Sequence, residues 1–236
     1  MGFDVSFFLV ALKEAIKYTP VTLFLAFTSL AAGCVIGLAL AVARIFQVRL
    51  LASLAQAYVV LIKGIPLVIL LLMLFHGLTR MFDDSAKALH LLVRAKDVNM
   101  IWIAALALSL YAIATISELL RGALLSVGKG QYEAAYSIGL TRSQTFFRVI
   151  LPQALPVSLP MLCNSLIGLI KWSSIAFVIS CVDLLNGALI AATDNYRFLE
   201  AYLAAALVYW VLNALIEQIA HRLELHLHRF RKEAAH

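Results

Sequence analysis

Charge is scarce in this chain: of 236 residues, 14% are Asp, Glu, Lys or Arg. A solvated disordered segment needs the reverse, high charge and little apolar content. Cysteine is scarcer still. Cys34, Cys163 and Cys181 are the three, and neither a disulfide framework nor a C-x-x-C metal pattern can be built from them. All three lie in apolar surroundings and read as small buried residues. With 11 glycines and 5 prolines a collagen-like repeat is excluded, no linker divides the sequence, and no fixed period recurs. A phosphate-binding loop is missing as well. The one glycine–lysine cluster, Gly128-Lys129-Gly130, lacks the G-x-x-x-x-G-K-[ST] spacing that holds phosphates and Mg²⁺, so no ATP site is expected in this chain.

What is abundant is hydrocarbon. Apolar residues make up 63% and the mean hydropathy is +0.94, against roughly 45–50% apolar content in a soluble domain. Nineteen Lys and Arg against 13 Asp and Glu do not make this a nucleic-acid binder, because basic residues in so apolar a chain belong at membrane edges. The first 17 residues carry Asp4, Lys13, Glu14 and Lys17, which does not fit a cleaved signal peptide. Residues 19–43 contain no charge, and about 20 helical residues cross a bilayer core of roughly 30 Å. Further apolar runs predict spans over 58–79, 98–120, 154–181 and 201–222. The expected fold is an all-α membrane protein, one domain over 1–236 with about five transmembrane helices.

Orientation follows from Lys and Arg in the connecting segments. With the N-terminus outside, the inner set is Arg44, Arg49, Lys63, Arg121, Lys129, Arg142, Arg148, Arg222, Arg229, Arg231 and Lys232. The outer set is smaller: Lys13, Lys17, Arg80, Lys87, Arg94, Lys96 and Arg197. The loop 121–152 then lies in the cytoplasm, as does the C-terminus. Within that loop, residues 131–138 contain no helix breaker and Gly139 closes the helix; a second helix over 142–151 is expected to end before Pro152. Apolar Ala134, Ala135, Ile138 and Leu140 suit this loop to docking into another protein, and Gly139 supplies the φ > 0 conformation that a sharp turn needs.

At this point the sequence resembles a known family. Glu133-Ala134-Ala135, three residues, Gly139, nine residues, Val149, one residue and Leu151-Pro152 reproduce the EAA loop of membrane permease subunits of bacterial ATP-binding-cassette importers. Val149 stands where Ile is usual. Leu108-Ser109-Leu110-Tyr111, Glu118 with Arg121-Gly122-Ala123, Lys129-Gly130-Gln131, Leu151-Pro152-Gln153-Ala154-Leu155, Asn164 and Leu169-Ile170-Lys171 narrow the resemblance to polar amino acid permeases. Lys63-Gly64-Ile65-Pro66-Leu67 is similar to that group's Arg-Gly-Thr-Pro-Leu segment. Where the group commonly has Lys-Asp-Thr-Ser, this chain has Lys171-Trp172-Ser173-Ser174.

The resemblance implies a type I importer permease fold in the bacterial inner membrane, with Glu133, Ala134, Ala135, Gly139, Leu140, Leu151 and Pro152 coupling it to a separate ATPase subunit. That subunit would bind ATP and Mg²⁺, and this chain would need no cofactor. A second permease copy or a paralogue and an extracytoplasmic amino acid binding protein are the other implied partners, beside membrane lipid.

Polar groups at bilayer depth are costly and face a cavity or a partner. Lys171 either attracts a substrate carboxylate or is structural, bonding helix-end carbonyls or an acid in a neighbouring span. Asn164, seven residues earlier and on the same helical face, either lines the route or makes an interhelical hydrogen bond. Ser173 and Ser174 join them, Trp172 shapes the passage, and Glu118 either pairs with Arg121 at i,i+3 or touches substrate. Pro156 and Pro160 each remove a helix hydrogen bond, so a kinked or broken helix is expected there. Trp102, Tyr209 and Trp210 read as interface anchors or lipid-facing bulk, and His221, His226 and His228 as part of a basic tail rather than a metal site. Two rival classes differ in kind: an intramembrane enzyme using Lys171 with Ser173 or Ser174, and a channel.

Overall fold

The computed structural model describes residues 2–89, 94 and 98–233, with side chains through 225. Every regular element among them is helical. Lys96 lies outside the described residues, as do the side chains of His226, His228, Arg229, Arg231 and Lys232.

Helix α1, Val5–Ile45, is 41 residues long and contains the uncharged run 19–43 as its middle. It starts early because Asp4 caps it, accepting the Phe7 N–H at 3.1 Å and the Ser6 hydroxyl at 2.5 Å. These two bonds hold the Asp4 carboxyl below the usual carboxylate range, so the cap is intact at neutral pH and is lost as pH falls through that lowered value. Lys17 and Glu14 pair at 2.8 Å on the early turns. Arg197 ties Asp4 to the far end of the chain at 3.1 Å.

The region expected as one span over 58–79 is divided. Helix α2, Arg49–Gly64, and helix α3, Leu67–Ala88, meet at an angle of 103°. Pro66 has no N–H to donate and drives the residue before it out of helical space; Ile65 is extended at φ −103°, ψ 127°. The Tyr58 hydroxyl fastens α2 to the helix that follows α3 by donating to the Leu110 carbonyl at 2.7 Å.

Helix α4, Ile101–Leu125, is the hub. In its most apolar stretch 61% of residues are buried, against 28% in α1. The contact between these two is close because two glycines of α1 face it one helical turn apart. A Cβ on Gly37 would lie 3.1 Å from the Ser117 nitrogen and 3.2 Å from the Ile113 carbonyl, and one on Gly33 would strike Ile116. This is the small-xxx-small spacing that lets membrane helices approach backbone to backbone.

Beyond α4 come α5, Lys129–Ser137, and α6, Arg142–Thr145. The expected stop before Pro152 is corrected here. A π-helical stretch, Phe146–Ile150, carries α6 directly into α7, Leu151–Ser173. The Leu151 N–H bonds the Phe146 carbonyl five residues back, and Pro152 sits at the switch to ordinary i→i−4 bonding, in the first turn of α7 where a missing N–H is tolerated. Pro156 and Pro160 likewise lie inside an unbroken helix. A 3₁₀ turn, Ser174–Ile179, ends at left-handed Ser180, φ 60°. The chain then enters a short helix absent from the sequence reading, α8, Leu184–Ala191, which lies against α1 with Tyr18 over Gly187. Helix α9, Phe198–Glu233, completes the chain. Among the described residues, four helical stretches are long and apolar enough to cross a membrane, five if the bent α2–α3 pair forms one span.

Candidate functional site

Two places gather the residues singled out by the sequence. The first is the loop between α4 and α7. Helix α5 buries Ala135 and exposes Glu133 and Ala134, and burial raises the Tyr132 phenol, with neighbouring Tyr136 adding to it. It ends at Gly139, φ 83°. The Gly139 N–H reaches the Tyr136 carbonyl at 3.0 Å and the Leu140 N–H the Ala135 carbonyl at 3.1 Å, closing the helix by the left-handed route that glycine permits. Thr141 and Gln144 then form a reciprocal capping box at 3.3 and 2.9 Å. The loop is anchored rather than loose. The Gln153 amide donates to Gln131 at 3.1 Å, joining α7 to α5, and Phe146 meets Phe46, just past the end of α1, edge to face at 6.2 Å. Ile138 and Phe147, 78% and 62% exposed, point outward from this braced frame; Leu151 is half-buried and Pro152 exposed.

The second place is the α7–α9 wall, where the structure sorts the residues expected along the route. Lys171 and Ser174 line a cavity of about 550 Å³ together with Tyr209, Asn213 and Glu217 of α9. Asn164 lines an adjoining cavity of about 560 Å³ that shares Ala214 and Glu217 with the first, so the polar strip Asn164–Lys171 does lie on one face. Trp172 points the other way, toward Tyr111 at 6.2 Å and the small apolar space between α3 and α4. Ser173 is buried and donates to the Ile170 carbonyl at 2.9 Å, while Ser174 donates to the Lys171 carbonyl at 2.7 Å. Neither hydroxyl is bonded to the lysine ammonium, so no Ser/Lys nucleophile–base pair is formed.

Glu118 is elsewhere. It is clasped between Arg44 of α1 and Arg121, the latter at 3.2 Å, near the end of α4 that leads into the loop. Among the described residues no group of His, Cys, Asp and Glu could hold a metal ion; His221 lines the cavity beside Asn164.

Two sets of residues were not singled out from the sequence. Asp183 is fully buried and caps α8, accepting the Asn186 N–H at 3.0 Å. It also accepts the Tyr209 hydroxyl at 3.2 Å and the Thr22 hydroxyl at 3.5 Å, and so ties α8, α9 and α1 together. Tyr209 is therefore no interface anchor: its hydroxyl is spent inside the protein. Asn213 and Glu217 stand four residues apart in the apolar run of α9. The cost argument that drew attention to Lys171 applies to them equally and would have found them.

Residues 33–229 match the family described as binding-protein-dependent transport system inner membrane component. The chain is 32% identical over 219 residues, covering 93% of itself and 94% of the relative, to a probable amino-acid ABC transporter permease protein PatM of Vibrio harveyi. It is 37% identical over 221 residues, 93% of itself and 87% of the relative, to the L-cystine transport system permease protein TcyB of Bacillus subtilis (strain 168). Among solved structures it resembles a chain from the crystal structure of an amino acid ABC transporter with histidines, with a TM-score of 0.80 and 26% identity over 96% of this chain and 100% of that one.

Proposed function

Because this chain belongs to the family of binding-protein-dependent transport system inner membrane components, we propose how it works as the permease subunit of an ATP-driven amino acid importer. Two copies, or one copy and a paralogue, form the membrane part as single-domain subunits. A separate ATPase binds ATP and Mg²⁺ on the cytoplasmic side, and an extracytoplasmic binding protein delivers the amino acid. The N-terminus lies outside and the C-terminus inside, which puts α5 and Gly139 where the ATPase can grip them. The observation that carries this reading is the loop itself: a short helix closed by left-handed Gly139, braced to α1 and α7, with Ile138 and Phe147 facing outward and uncovered. A surface of that kind transmits a push without folding under it.

Glu133, Ala134, Ala135, Gly139 and Leu140 form the joint, and Leu151 and Pro152 pass its movement into α7. Substrate passes beside α7, with Asn164, Lys171 and Ser174 facing it. Trp172 and buried Ser173 shape the wall from behind, and Glu118 locks α4 to α1. A neutral polar amino acid fits such a wall; cystine, carried by a relative at 37% identity, and glutamine are the candidates.

The test is assembly and coupling. The purified complex should contain an ATPase with a phosphate-binding loop. Gly139→Val places a β-branched side chain at φ 83°, where it is strained, so membrane insertion should persist while amino acid uptake and stimulated ATP hydrolysis fail. A cysteine at Asp84 should be labelled from outside and one at Gln144 from the cytoplasm alone. Normal transport by the glycine variant, or both labels on one side, overturns this reading.

A further inference from the structure

The α7–α9 cavity holds opposite charges that do not meet. Lys171 on α7 and Glu217 on α9 both line it, yet neither makes an ion pair with any described residue. Asn213, one helical turn before Glu217 and so on the same face, also lines it. Its side-chain oxygen is shielded from solvent and has no hydrogen-bond partner among the described residues. A buried acceptor left unpaired is a standing cost; Lys171 and Glu217 are exposed on the cavity wall, and a charge in a membrane-spanning helix is costly until it is paired. Tyr209 cannot relieve either one through its hydroxyl, which is committed to Asp183 at 3.2 Å. The vacant pairings are thus a cation donor on one side, and a carboxylate and an amide oxygen on the other.

Resting on the reading that substrate passes beside α7, we propose that Asn213 and Glu217 are the second half of a zwitterion site and receive the α-ammonium of an amino acid whose α-carboxylate lies on Lys171. An α-amino acid carries both charges on one carbon and turns two unpaired groups into two charge-assisted contacts at once. Its side chain then extends into the adjoining cavity, which begins at Glu217 and is lined by Asn164, Gln218 and His221. Those amides and imidazole favour a polar side chain over an apolar one. Glu217 is thereby a specificity-determining residue, selecting for the free amino group, and α9 supplies half of the contacts.

The experiment is equilibrium binding of radiolabelled L-glutamine and L-cystine to the complex of permease and ATPase in nanodiscs, without the binding protein. The corresponding deamino acids serve as competitors, and thermal unfolding reports on folding. The wild type should bind at least one of the two amino acids and discriminate against its deamino analogue. Glu217→Gln and Asn213→Leu should each weaken binding of the amino acid about tenfold, the loss of one charge-assisted contact, while the deamino acid competes as before; Glu217→Asp should restore most of the discrimination. If both α9 variants bind and discriminate like the wild type while Lys171→Met loses binding, the α9 half of the site is wrong and the route beside α7 stands. If Lys171→Met also binds normally, or the wild type binds neither amino acid, that route fails together with the inference.

Discussion

The α1–α4 contact and the α7–α9 contact are made from similar apolar stretches and are finished differently. Between α1 and α4 the backbones approach through Gly33 and Gly37, Ala112 and Ser117 are wholly buried, and polar side chains are paired, Ser117 to the Ala114 carbonyl of its own helix at 3.0 Å and Ser109 to Ser29 across the contact at 3.4 Å. Between α7 and α9 two cavities remain, and among the described residues Lys171 and Glu217 face them without an ion-pair partner and Asn213 with an unbonded side-chain oxygen. A membrane offers helices little hydrophobic drive to associate, so close packing and paired polar groups decide which contacts are fixed. By that criterion α1 and α4 form a frame, and the α7–α9 wall is the part left open for something to enter.

Overfilling the frame should cause the largest damage. Gly37→Leu puts a bulky side chain where even a Cβ meets the backbone of Ser117 and Ile113, and should lower stability by about 3 kcal/mol or abolish folded protein. Thermal unfolding in detergent reads this directly. A smaller loss is expected at the joint between the two regions. Asp183→Leu leaves the Tyr209 and Thr22 hydroxyls and the Asn186 N–H without their acceptor, and because it also removes the desolvation cost of the buried carboxyl the net loss is about 1–3 kcal/mol. Asp183→Asn keeps an acceptor and should fall between that variant and the wild type in the same assay. Equal stability of all three would mean that α8 is not held by this acid.

The apolar spans and the loop were legible because their signals are local. The spacing from Glu133 to Pro152 and the need for φ > 0 at Gly139 can be read within one window, and the glycine does adopt that conformation. Breaks were harder to place, since proline acts through what surrounds it. Pro66 ends a helix because Ile65 goes extended, whereas Pro152, Pro156 and Pro160 stay within one, the first beside a π-turn. Nothing in the local sequence separates these cases. Asp183 finds Thr22 across 161 residues and Lys171 shares its cavity with Glu217. Such pairings depend on which helices become neighbours, which periodicity does not encode.

Single-cysteine accessibility on the two contacts tests this division most directly, after Cys34, Cys163 and Cys181 are replaced by alanine or serine. In the complex of permease, ATPase and binding protein, Asn213→Cys should react with a water-soluble thiol reagent, change its rate when ATP is hydrolysed, and be protected by the transported amino acid. Ala112→Cys, at the fully buried α1–α4 contact, should remain unreactive in every state. An Ala112→Cys thiol that opens during the cycle while Asn213→Cys stays silent would contradict the account.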